Sequence, residues 1–269
     1  MPVLSLGPED GLYYEYDAPQ GTKPTFVFVN ALTGNTGTWQ AEIGPSLRAE
    51  GFGTLAYNFR GQAESPFKPG LALDEALIVG DLTRLMAEVA PPRPIPVGLS
   101  IGGLYAAKAV LGGTDAEGLV LLNTLRRIGP RLAWVNDVMV RAAEIGGIQL
   151  LMDFYMPLLL NEGGLEGVRQ NFLGTSPYTP LDPAHGHFNL MRHAGGTDWE
   201  IEYEKLSLPV LVVSGLQDRV FYDAAVVAEL TARLPNATTV EMPNAGHLIP
   251  MERPAELTRT LNDFAAQLG

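Results

Sequence analysis

Apolar and polar positions along the chain alternate between two periods. Short apolar runs recur at 25–30, 54–58, 94–99, 118–123 and 208–214. They are too brief for helices, are rich in β-branched and aromatic residues and carry no polar alternation, as in strands covered on both faces. Between them, 39–50, 74–89, 101–111, 222–234 and 254–268 space their apolar residues as helices do. Residues 11–17 instead put Leu12, Tyr14 and Tyr16 on one side, which suits an antiparallel edge strand, and 238–242 reads as a last strand. This succession predicts an α/β chain, with a mostly parallel central sheet flanked by helices. Ligands of such sheets bind at the carboxyl ends of the strands, where Asn30, Asn58, Ser100 and Asn123 fall.

From 125 to 199 the alternation stops. Helical spacing covers 131–145, 147–160 and 165–172, with no strand of matching quality. The stretch is expected to be an inserted helical cap over the carboxyl edge, dividing the core into 1–124 and 200–269. Met139, Met152, Phe154, Tyr155, Met156 and 158–160 would give the cap an apolar ceiling, and from these Met139 and Met156 are taken as substrate contacts. Each could equally pack the cap's own core.

Composition narrows the chemistry. The formal net charge of -12, without a Lys/Arg cluster, disfavours nucleic acid and anionic membranes as partners. The chain contains no Cys, which excludes disulfides, thiolate catalysis and Cys-ligated metals. Residues 1–11 lack a basic segment ahead of an apolar one, so no signal peptide is expected there and the cytoplasm is the expected location. The partner expected is a small molecule; monomer and homodimer both stay open.

The chemistry centres on Gly98-Leu99-Ser100-Ile101-Gly102-Gly103, between a predicted strand and a predicted helix. Gly-x-Ser-x-Gly at such a junction makes a turn too tight for flanking side chains and leaves the Ser hydroxyl standing clear beside free helix N–H groups. A serine hydroxyl needs an imidazole to take its proton and a carboxylate to orient that imidazole. Asp218 and His247, each just past a predicted strand, complete nucleophile, acid and base in that order. With the 30–39 loop and Asn58-Phe59-Arg60-Gly61, these motifs make the chain resemble the α/β-hydrolase superfamily, in its capped group, from about Thr25 onwards.

The resemblance implies a serine hydrolase with an oxyanion hole made by the backbone N–H groups of Leu32 and Ile101, and with no cofactor. Asn30-Ala31 stands where similar proteins carry His-Gly, and Asn58 where they carry Asp. Asn30 either braces its loop as that His does or adds a donor to the substrate pocket, with Trp39 near the pocket wall. Arg60 is expected to brace the loops beneath. The substrate expected is a small, largely apolar ester or lactone. A C–C bond hydrolase acting on a β-diketone or dienone-type acid would use the same triad but need a subsite for the substrate's carboxylate, for which Asn30 and Arg127 are the only hints. A non-catalytic receptor is the alternative of another class. His185, His187 and His193 near Asp182 raise a metal reading, but their spacing and the lack of further carboxylates argue against one.

Overall fold

The computed structural model of the protein describes residues 3–269. The first core segment, expected to begin at residue 1, is therefore described from Val3; residues 1 and 2 lie outside the described residues. In chain order the elements are β1 (Val3–Ser5), β2 (Gly11–Asp17), β3 (Thr25–Val29), α1 (Gly37–Gln40), α2 (Ile43–Ala49), β4 (Gly53–Tyr57), α3 (Glu75–Val89), β5 (Pro94–Leu99), α4 (Ile101–Leu111) and β6 (Leu119–Leu122). They continue with α5 (Pro130–Leu159), α6 (Glu162–Arg169), α7 (Gly186–Ala194), β7 (Val210–Gly215), α8 (Ala224–Ala232), β8 (Ala237–Met242), α9 (Ile249–Glu252) and α10 (Pro254–Gln267).

Among the described residues, eight strands form one sheet in the order β1-β2-β4-β3-β5-β6-β7-β8. β1 to β2 and β2 to β4 run antiparallel, and every later pairing is parallel. The apolar runs are buried on both sides because successive residues face opposite layers. Val27, Val29, Leu119, Leu121, Val210 and Val212 pack with Ile78, Leu82 and Leu104 of α3 and α4 on one face. Phe26, Phe28, Val120, Leu122, Leu211 and Val213 pack with Trp39, Ile43, Leu257 and Phe264 on the other.

The helical region inserted between β6 and β7 has its own core of Leu132, Ala143, Leu151, Tyr155, Phe188 and Met191. Helix α5 breaks at Gly147, whose φ of 69° is open to glycine, so the two helices expected at 131–145 and 147–160 abut there. The third begins earlier than expected, at Glu162, because Asn161 caps it by accepting from the Gly164 N–H. Helix α7 was not anticipated. It is short, its apolar residues Phe188, Leu190 and Met191 are few, and the histidines around them gave 185–193 a polar character. Phe154, expected in the apolar ceiling, points outward and is 52% exposed.

Candidate active site

The turn after β5 takes the shape that its glycines allow. Ser100 has φ 58° and ψ −123°, a conformation costing about 1–3 kcal/mol that persists only where its surroundings impose it. The imposition comes from close backbone approach: a Cβ on residue 102 would lie 2.3 Å from the Asn30 carbonyl oxygen. Helix α4 is thereby seated directly on the end of β3. The Ser100 N–H donates to the Leu122 carbonyl at 2.8 Å, tying the turn to β6 as well.

Two other strand ends supply the remaining groups. Asp218, after β7, lies 2.6 Å through Oδ2 from Nδ1 of His247, and its Oδ1 accepts from the N–H groups of Val220 and Phe221. Burial by itself raises this carboxyl; the charge and hydrogen bond of His247, the Phe221 amide and the Arg126 charge outweigh it, so its pKa lies below the ordinary value. Asn123, past β6, fixes the loop bearing His247. Its amide donates to the carbonyls of Gly246 and His247, while its oxygen accepts from the Gly215 N–H.

Ser100 and His247 line one cavity of about 90 Å³, walled by Leu32, Ile101, Met139, Leu151, Tyr155, Trp199 and Phe221 among others. The helical insertion thus roofs the strand ends. Within this cavity the Ser100 hydroxyl accepts a hydrogen bond from Arg126 Nη2 at 2.9 Å, and it makes no hydrogen bond to His247. The backbone N–H groups of Leu32 and Ile101 have no acceptor among the described residues.

The other expected contacts divide. Met139 lines the cavity with Ser100, whereas Asn30, Trp39 and Met156 line a neighbouring one of about 130 Å³ that shares Ala31, Thr33, Met152 and Leu248 with it. Asn30 is buried and braces its loop. Nδ2 donates to the Tyr57 carbonyl, Gln62 Oε1 and Asn58 Oδ1 at 2.8, 3.1 and 3.3 Å, and Oδ1 accepts from Trp39 Nε1 at 2.8 Å. Trp39 is fully buried and stacks on Phe28. Arg60 holds Asp81 through two hydrogen bonds of 2.7 and 2.6 Å. No group of His, Asp and Glu fit to hold a metal ion occurs among the described residues.

Sequence reasoning missed Arg126 and singled out its neighbour. Arg127 points outward, paired with Glu229 at 2.6 Å and Glu200 at 3.3 Å. Arg126 is buried, its guanidinium between the rings of Phe221 and Trp199 at 4.2 and 4.5 Å. The one sequence signal was a basic residue just past the carboxyl end of a strand, and it did not distinguish the two arginines.

The family described as alpha/beta hydrolase fold matches residues 24–254. The chain belongs to that family. The solved enol-lactonase of Burkholderia xenovorans LB400 superposes with a TM-score of 0.80 at 26% identity, covering 98% of this chain and 100% of its own. The 3-oxoadipate enol-lactonase 2 of Acinetobacter baylyi is 23% identical over 239 residues, 87% of this chain and 86% of that protein. The pimeloyl-[acyl-carrier protein] methyl ester esterase of Serratia marcescens is 26% identical over 204 residues, 71% of this chain and 77% of that protein. The relatives of this chain thus include an esterase and lactonases, and no helix among the described residues is long and apolar enough to cross a membrane.

Proposed function

We propose that this hydrolase cleaves a small carboxylic ester or lactone through an acyl-enzyme on Ser100. The observation that carries the reading is the 2.6 Å contact of His247 Nδ1 with Asp218, on an imidazole that shares a cavity with the strained Ser100. That contact fixes the proton on Nδ1 and leaves Nε2 as the base. With substrate bound, Ser100 Oγ and His247 Nε2 close to hydrogen-bond distance. His247 takes the hydroxyl proton as Oγ attacks the carbonyl carbon, and the carbonyl electron pair moves onto oxygen. The unclaimed N–H groups of Leu32 and Ile101 suit that oxyanion, and one such donor is typically worth about 2.7–4 kcal/mol. Collapse expels the alkoxide, which takes its proton from the imidazolium. Water, deprotonated by the same imidazole, then attacks the acyl carbon; the bond to Oγ breaks, the imidazolium returns its proton to Ser100, and the acyl group leaves as the acid.

The roof formed by the helical insertion between β6 and β7, a cap in this reading, encloses the substrate with Met139, Leu151, Tyr155 and Leu159. The enol-lactonase and methyl ester esterase names of its relatives support ester and lactone substrates. The test is Ser100→Ala against a panel of short-chain p-nitrophenyl esters and lactones. Turnover is expected to fall to background with the far-UV circular dichroism spectrum unchanged; activity retained in that variant would remove Ser100 from the mechanism.

A further inference from the structure

Arg126 has more donors than the protein uses. Of its five N–H bonds, Nε donates to the Thr124 carbonyl at 3.2 Å, and Nη2 donates to the Asn123 carbonyl at 2.7 Å and to Ser100 Oγ at 2.9 Å. The two on Nη1 have no acceptor among the described residues. No carboxylate pairs with the guanidinium: Asp218, whose charge acts on it, is committed to His247, Val220 and Phe221. The side chain is nevertheless buried and lines the same cavity as the nucleophile.

Such a group is costly in a largely apolar cavity. Burial pulls the guanidinium down to about 10, although the nearby Asp218 and Tyr203 raise it, and it still carries its full charge near neutral pH. A buried charge persists where something compensates it. Rings of Trp199 and Phe221 hold the plane from either side and the two backbone carbonyls anchor one edge, so the unpaired Nη1 is rigidly presented.

We propose that Nη1 of Arg126 binds a carboxylate of the substrate, and that the enzyme's substrates are anionic half-esters or lactone acids whose carboxylate lies a short carbon chain from the scissile carbonyl. The inference rests on the hydrolase reading above and deepens it. Proximity sets the chain length: Nη2 already touches Ser100 Oγ, so an anion on Nη1 and a carbonyl on Oγ belong to one small molecule. Arg126 thereby determines specificity through ground-state and transition-state contact with substrate, leaving proton transfer to His247.

The test compares monomethyl with dimethyl esters of succinate and glutarate, and it measures binding of succinate and glutarate themselves to the wild-type enzyme by calorimetry. The wild type should favour the half-ester in kcat/KM by about tenfold or more, since a site built around a polar contact discriminates against a partner that lacks it. Arg126→Gln should erase that ratio, mainly through KM for the half-ester, and Arg126→Lys should restore part of it. Succinate or glutarate should bind the wild type and inhibit competitively. Equal rates for half-ester and diester, or no binding of either dicarboxylate, overturn the subsite even where both esters are hydrolysed and the hydrolase reading stands. Dicarboxylate binding without ester turnover upholds the subsite and removes the hydrolase reading instead. The wild-type comparisons do not depend on whether either variant folds.

Discussion

Exchanging one atom tests the network under the loop after β3. Trp39 Nε1 can only donate and the Tyr57 carbonyl can only accept, so the Asn30 amide has one orientation, its nitrogen facing three oxygens. Asn30→Asp keeps the shape but turns the nitrogen toward Tyr57 O, Gln62 and Asn58 into a fourth oxygen. Protonated, the new carboxyl still donates once. Gln62 Oε1 keeps the Phe59 N–H and Asn58 Oδ1 keeps the Thr36 N–H, so the loss is limited to about 1–2 kcal/mol. Ionised, it is an unpaired charge at a site only 1% exposed, so its pKa in the folded protein is raised. The folded state then holds a proton that the unfolded chain releases above about 3.9, and stability falls as pH rises at about 1.4 kcal/mol per pH unit. Between pH 5 and pH 7 the deficit should grow by almost 3 kcal/mol, to about 5 kcal/mol or more. Urea unfolding followed by circular dichroism at both values measures it. Asn30→Ala, which loses the bonds without gaining a titrating group, should show a deficit that does not change with pH. An aspartate variant as stable as the wild type at pH 7, or one whose deficit is the same at both values, refutes the orientation and the burial together.

Gly102→Ala drives a methyl group into the carbonyls of Asn30 and Val29 and should cost about 3 kcal/mol or more. Gly80→Ala, inside α3 with nothing within 4 Å, should gain up to about 1 kcal/mol, and the contrast is read from the same urea curves. Asp218→Asn should lower kcat about ten-thousand-fold by losing the Nδ1 proton's acceptor. Because the Asp218 carboxyl titrates lower in the folded state, it contributes stability above its unfolded pKa and loses it as pH falls through the folded one. Wild type and variant should therefore converge in stability at low pH, as thermal melts across the acid range will report.

Period and punctuation made the sheet legible. The run at 94–99 and the helical spacing at 101–111 match β5 and α4 residue for residue, because burial on both faces leaves an unbroken apolar signature. Elements held by few buried side chains left little trace. β1 spans Val3–Ser5 at the sheet edge, and α9 is a single turn. The bracing role of Asn30 was one of two readings open from the residues. What resolves it is the convergence of Tyr57, Asn58 and Gln62, distant in sequence and brought together only by the pairing of β3 with β4.

Arg126 and Arg127 show where such reading stops. Two adjacent arginines leaving a strand diverge, so one faces the cavity if the other faces solvent, and the sequence is silent about which. Asn123, with a φ of 46°, turns the chain as it leaves β6. The same residue holds both the His247 loop, through its amide, and one edge of the Arg126 guanidinium, through its carbonyl. Outside, Glu200 and Glu229 neutralise Arg127 with exposed side chains, a pairing worth little in water. Inside, nothing of the protein's own neutralises Arg126 by direct contact, and the cavity it faces is the one in which an anionic ester would do so.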